Sequence, residues 1–323
     1  MPAPRPTPPQ RGRGSRHERS NIRRQKQIKI ISTLTEGLGI RATARITGVN
    51  RETVGKLALQ VGRGCAELHD RLLFGIRVNR IECDELRAYV GHKRNPQSGK
   101  PSFNPEKGDQ YTYIALGASS RAIITYRTGK RDSEMTDQFI QDLRGRVIGT
   151  PEITTDGWHP YKSSIRDAFG KGVAHGIINK TYSVTRLNVT EASRRYSPAA
   201  VVAVERQVAS GEPEQISTSY VERQNLTLRM ASKRFARLSN GFSKRLECHL
   251  AAVALHVAFY NLCRVHESLR STLAMALGIA ARVWAIGDLL DAAVAAVPPV
   301  PTPTAPDRRR QFRVIQGGKG ESF

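Results

Sequence analysis

Acid is scarce in this chain. Its 323 residues include 28 aspartates and glutamates against 51 lysines and arginines, a formal charge of +23. So basic a chain attracts polyanions, and nucleic acid is the partner its charge favours. Cysteine is scarcer still. Cys65, Cys83, Cys248 and Cys263 include no CxxC pair, so neither a zinc site nor a disulfide framework is supported. No uncharged apolar run reaches the roughly 18 residues that a membrane span needs. "LAAVALHVAFYNLC" (250–263) is shorter and reads as a buried helix. The opening "MPAPRPTPPQRGRGSRHERS" has no apolar core and does not read as a secretory signal. Neither a membrane nor a small-molecule substrate is expected.

What is present falls into blocks. Residues 1–21 form a basic, proline-rich tail and residues 298–323 a second one, both expected to be disordered. Residues 22–62 read as three short helices. "IRRQKQIKIISTLTEG" has Ile28, Ile31 and Leu34 on one face, and Gly37 and Gly39 break it. "IRATARITG" then turns Ile40, Ala44 and Ile46 inward, with Gly48 at the turn. Asn50 caps "RETVGKLALQ", which points Val54 and Leu57 inward. A small residue, a turn glycine and a capped third helix fit a helix-turn-helix. Arg51, Thr53, Lys56 and Gln60 are then left to face a DNA major groove.

Residues 63–80 read as a linker. From residue 81 the hydrophobic period becomes that of strands. "IECDELRAYV", "YTYIALGA" and "RAIITYRTG" suggest an antiparallel meander. "SEMTDQFIQDLRGRV" reads as a helix capped by Ser133, "PEITTDG" as a strand, "YKSSIRDAFG" as a helix and "GVAHGIIN" as a strand. The order β-β-β-α-β-α-β predicts an α/β domain of ribonuclease-H topology, a mixed sheet flanked by helices, over 81–265. Residues 181–216 read as an irregular insertion and 266–297 as C-terminal helices.

Phosphodiester cleavage calls for an activated nucleophile and a stabilised leaving oxyanion. A pair of hard cations held by carboxylates supplies both. Asp84 sits in the middle of the first strand, where an acid is unfavourable without a partner or metal. Asp156 ends the fourth strand, the usual place for sites in open α/β sheets. Glu222 is the one acid between Tyr220 and Arg245, among seven cations, on the helix after the insertion. In ribonuclease-H topology these three converge. Glu85 alternates to the opposite face from Asp84, while Glu82 shares that face and stays a competing candidate. Asn225 and Arg229 fall on the same helical face as Glu222, placed to contact DNA, and Lys233 extends the stripe. Each acid alone would ordinarily be a surface or ion-paired group; the case rests on three in this order.

"GIRATARITGV", "CDE", "TTDG", "TSYVERQNLTLRM" and "RLSNGFSK" together resemble the helix-turn-helix and catalytic blocks of the insertion-sequence-1 family of DDE-type transposases, in the same order. The likeness runs from about Gly37 to Trp284, and "TSYVERQNLTLRM" with "NGFSK" is its most specific part. It implies a ribonuclease-H-like domain with Asp84, Asp156 and Glu222 as metal ligands, holding two Mg²⁺ ions that Mn²⁺ can replace. It also implies a prokaryotic enzyme on the nucleoid. Such an enzyme would work as a homo-oligomer, joining element ends in double-stranded DNA to target DNA. The sequence departs from the family twice. It has no cysteine-rich zinc element, and Arg87 stands where D-E-x-W has its tryptophan. The rival readings are a ribonuclease-H-like nuclease without strand transfer and a DNA-binding regulator with a decayed catalytic domain.

Overall fold

The computed structural model describes residues 23–93, 103–182, 201–235 and 240–297. Both tails read as disordered, 1–21 and 298–323, lie outside these residues.

Three helices lead: α1 (Arg24–Thr35), α2 (Ile40–Thr47) and α3 (Arg51–Leu72). Gly48 ends α2 in the left-handed region at φ 66°, where a side chain would be strained. Asn50 caps α3, its Oδ1 accepting from the Glu52 N–H at 2.8 Å. Val54 and Leu57 are buried as the pattern predicts. Ile46 is not; it is 51% exposed. The inward face of α2 is Thr43 and Thr47, and the Thr47 hydroxyl donates back to the Thr43 carbonyl at 2.8 Å, so burial leaves it satisfied.

The largest correction concerns residues 63–80. Residues 63–72 are not a linker: α3 continues unbroken to Leu72. Its glycines serve close packing. A Cβ on Gly62 would lie 2.6 Å from the Cβ of Ala251, and one on Gly64 would lie 1.9 Å from the carbonyl oxygen of Ala293.

A six-stranded sheet follows, built from β1 (Arg80–Val90), β2 (Gly108–Gly117), β3 (Ile123–Gly129), β4 (Glu152–Asp156), β5 (His175–Tyr182) and β6 (Val201–Ser210). The spatial order is β3-β2-β1-β4-β5-β6. β1–β2 and β2–β3 are antiparallel, β1–β4 and β4–β5 parallel, and β5–β6 antiparallel. The meander, the crossover to β4 beside β1 and the flanking helices make this a ribonuclease-H-like fold. β6 corrects the reading of 181–216 as irregular throughout, since 201–210 pair along β5; residues 183–200 lie outside those described.

Helices α4 (Ser133–Arg146) and α5 (Pro160–Phe169) cover one face, packing Phe139, Leu143, Tyr161 and Ile165 on Ile81, Cys83 and Tyr113. The cap of α4 is Asp132 rather than Ser133, its Oδ1 accepting from Met135 N–H at 2.9 Å. Helices α6 (Ser219–Ala231) and α7 (Leu246–Ala258, with a π-helical end to Cys263) cover the other face. They pack Val221, Leu228, Val253 and Val257 on Leu86, Ala88 and Ile114. A third core joins α1 and α3 to α7 and to α8 (Ile286–Ala296). The stretch Leu246–Cys263 is long and apolar enough to cross a membrane, but 61% of it is buried inside the fold.

Candidate active site

β1 and β4 pair only over residues 80–82 and 152–154. Beyond that the two parallel strands part, and a cleft of about 540 Å³ opens at the C-terminal end of β4. Asp84, Glu85, Asp156, Glu222, Asn225 and Arg229 line it, with Arg131 and Lys180.

Each carboxylate is held. Asp84 Oδ1 accepts from the Glu85 N–H and Oδ2 from the Asn225 amide, both at 2.8 Å. Asp156 Oδ1 accepts from the Trp158 N–H at 2.9 Å, and its Oδ2 meets the Arg131 guanidinium at 3.1 Å. Glu222 Oε1 accepts from the Thr218 hydroxyl at 2.6 Å and pairs with the Lys180 ammonium. Burial and then the charge of Asp156 push the Asp84 carboxyl up to about 6, with a smaller push from Glu222. Burial also raises Asp156, against the Trp158 N–H and Arg131.

Two acids set aside or left open by sequence reasoning find definite places. Glu85 does face away from Asp84, towards the α4–α5 layer, yet it belongs to the cluster. Asp84, Glu85 and Asp156 each offer an oxygen within 4.8 Å of the others, a grouping that can hold a cation. Alternation sends Asp84 and Glu85 to opposite faces of the sheet, but the β1–β4 pairing stops at Glu82 and Thr154, short of Asp156. Here β4 has ended, so Asp156 is reached from both faces. The Glu85 side chain is only 3% exposed and pairs with Arg131 at 3.1 Å, and burial raises its carboxyl to about 8. Glu82 is not in the cleft. Fully buried, it accepts the Tyr220 and Val221 N–H groups at 2.8 and 3.0 Å, and so caps α6 from the sheet.

The sequence-chosen DNA contacts divide. Arg51, Lys56 and Gln60 are exposed on α3 and Thr53 is half-buried beside them. Arg229 is exposed at the cleft. Asn225 is buried in the cleft wall, where its amide nitrogen donates to Asp84. Lys233 does not extend the Glu222–Arg229 stripe, because α6 ends at Ala231 and Lys233 lies in a short 3₁₀ turn that lines a different cleft. Arg87, at the site of the family's tryptophan, pairs with Asp109 on β2 at 2.9 Å. After Asp156, Tyr161 is core and His159 is exposed at the start of α5.

No family model and no curated protein matches the chain. Among solved structures, a cryo-EM structure of a piggyBac transposase synaptic complex with hairpin DNA aligns over 84% of this chain and 70% of that one, at 13% identity and a TM-score of 0.35. A Mos1 transposase paired-end complex with the left transposon end aligns over 50% of this chain and 59% of that one, at 13% identity and a TM-score of 0.18. A Mos1 strand transfer complex aligns over 77% of each chain, at 12% identity and a TM-score of 0.20. These likenesses are loose, and the fold assignment rests on the strand order itself.

Proposed function

We propose that this chain is a DDE-type transposase, of the insertion-sequence-1 kind its motifs resemble, acting on double-stranded DNA as a homo-oligomer in the prokaryotic cytoplasm. The observation that carries the reading is the meeting of Asp84, Asp156 and Glu222, from three separate elements, in one cation-flanked cleft. The fit to divalent metal is chemical. Burial and then the Asp156 carboxylate raise the Asp84 carboxyl, a strain that a bound cation relieves, and Arg131 and Lys180 lie beside Asp156 and Glu222 in the same cleft. Two Mg²⁺ ions, or Mn²⁺ in their place, held by these three acids would activate an attacking oxygen and stabilise a leaving one.

The chain's own groups do the rest. Asn225 and the Glu85 N–H fix both oxygens of Asp84, Trp158 N–H fixes Asp156, and Thr218 fixes Glu222. Arg229 at the cleft edge is suited to a bidentate grip on a neighbouring phosphate. Arg51, Thr53, Lys56 and Gln60 are the surface of α3 assigned to end recognition. In the proposed sequence water hydrolyses the end phosphodiester and leaves a 3′-hydroxyl. That hydroxyl then displaces a target phosphodiester in line, one P–O bond forming as another breaks.

The test incubates each variant with labelled element-end DNA and Mg²⁺ and scores nicking and joining separately. Glu222→Gln is expected to abolish both while end binding and melting temperature stay near the parent's. The loss should exceed the roughly 10–100-fold typical of removing a group that only supports a ligand. Glu85→Gln, whose partner is Arg131, should cost less. Nicking without joining would convert the reading to a nuclease, binding without either to a regulator, and robust nicking by Glu222→Gln would remove Glu222 from the site.

A further inference from the structure

A second cleft, of about 870 Å³, opens between the N-terminal helices and the segment that joins α6 to α7. Arg41, Arg45, Lys233, Arg234, Lys244 and Arg245 line it, and no aspartate or glutamate does among the described residues. Below this rim lie Leu34, Leu38, Ile40 and Leu59, all half-buried. Lys244 caps the ring of Phe242, a further lining residue, at 3.5 Å. Arg245 pairs with Glu247 at 3.1 Å; Arg41, Arg45, Lys233 and Lys244, gathered on one rim, repel one another, an arrangement that a bound polyanion relieves.

No segment of the sequence outside the described residues carries the net negative charge that would complement the cleft. Residues 1–22 carry five arginines against Glu18. Residues 183–200 carry Arg186, Arg194 and Arg195 against Glu191. Residues 298–323 carry Arg308, Arg309, Arg310, Arg313 and Lys319 against Asp307 and Glu321. Each is net positive, so charge turns them all away and favours an anion from outside.

The form of that anion follows from the floor. A duplex keeps its base faces paired and stacked, so it has none to lay on the leucines. A single strand can lay its phosphates along the cations and turn a base onto an apolar surface. We propose that this cleft holds a short run of single-stranded DNA, with phosphates on Arg41, Arg45, Lys233 and Lys244 and an unstacked base over Leu38 and Leu59. The inference rests on the reading that the chain acts on DNA. It deepens that reading, because α6 and the turn that follows it link the two clefts: Glu222 and Arg229 on α6 line the acidic one, and Ala231 at its end with Lys233 just beyond it line the basic one. A strand opened at the acidic cleft is thereby led towards the basic one.

The experiment measures fluorescence anisotropy of the full chain in EDTA, so that cleavage plays no part. The probes are oligothymidylate of about 12 nucleotides, within the span such grooves cover, and a random duplex of the same length. Lys233→Ala/Lys244→Ala alters two exposed side chains. It is expected to weaken single-strand binding about tenfold and to flatten its salt slope by about 1.4, two phosphates at roughly 0.7 each, with duplex affinity within about twofold. Lys233→Arg/Lys244→Arg should restore binding. Leu38→Ser should weaken the single strand alone. Equal losses on both probes, or no loss on either, overturn the proposal. Nicking by Glu222→Gln is read in a separate metal-dependent assay, so the catalytic reading and this one fail independently.

Discussion

Glu82 shows how one buried acid organises the site without entering it. Helix α6 begins at Ser219 with no side-chain cap of its own, and its first N–H groups would be orphaned against the sheet. Glu82 takes two of them, which fixes the start of the helix that carries Glu222. Glu82→Ala is expected to cost about 1–3 kcal/mol, the range for buried donors left unsatisfied. Thermal unfolding should read that loss, and nicking should fall with it even at temperatures where the fold survives. Unchanged activity would show that α6 is positioned by other contacts. Asn225 acts nearer the chemistry. Asn225→Ala frees Asp84 Oδ2 and should reduce nicking by roughly 10–100-fold, as loss of a supporter of a ligand does. Added Mn²⁺ should recover part of that activity. An effect confined to DNA affinity would return Asn225 to the role of a DNA contact.

Among the elements, α3 departs furthest from its sequence pattern. Gly62 and Gly64 weaken a helix by propensity, yet α3 passes through both because α7 and α8 approach their backbone. The exposed surface of α3 proposed for end recognition and the C-terminal helices therefore belong to one packed unit, and α3 cannot be cut at residue 62 without exposing Cys65 and Leu68. Gly64→Ala gains helix propensity and in an isolated helix would stabilise it. Here its Cβ would meet the Ala293 carbonyl, so destabilisation of about 1–3 kcal/mol is expected, as for overpacked cores. Gly55→Ala, with nothing near its Cβ, serves as the control and should be neutral or stabilising. Similar melting temperatures for the two variants would refute the close approach of α3 and α8. Coupling also runs from α6 to the N-terminal helices, since the Gly37 turn lies against the Ala231 carbonyl.

Over the whole molecule, buried histidines set the acid side of stability. Burial lowers His69, His175 and His256 to about 4 and His249 to about 3, from an ordinary 6.5. The fold keeps them neutral and the unfolded chain protonates them. Their contribution is therefore complete above pH 6.5 and lost as pH falls towards 4. Asp84 and Glu85 act in the opposite sense: their raised carboxyls favour the fold at low pH and oppose it as pH rises through about 6 and about 8. A single melting curve mixes the two, so the difference between variants is the measurement. His69 faces the Ile124 carbonyl through Nε2 at 3.1 Å, with Arg146 nearby adding to its depression. His69→Gln can keep a donor there and cannot titrate. Relative to the parent it should gain stability between pH 7 and pH 4, on the order of 3 kcal/mol for a shift of this size. A constant difference across that range would mean that His69 does not titrate on unfolding.

Local patterns carried much of this protein. Alternation in 80–90, the turn at Gly48, the cap at Asn50 and the buried stripe of 250–263 follow from the residues themselves, because each depends on neighbours within a few positions. The order of strands and helices is legible for the same reason, and it placed Asp84, Asp156 and Glu222 in the elements they occupy. Contacts between distant residues are a different matter. Alternation keeps Glu82 as a candidate and sets Glu85 aside, and only the end of β4 beside β1 draws Glu85 into the cluster while the start of α6 claims Glu82. Gly62 and Gly64 look like a helix end until α7 and α8 are seen against them. Lys233 follows the helical stripe by number and leaves it in space, because α6 stops two residues earlier. For the glutamates and the glycines the deciding partner lies far along the chain, beyond the reach of spacing, and the packed sheet and helices alone bring it near.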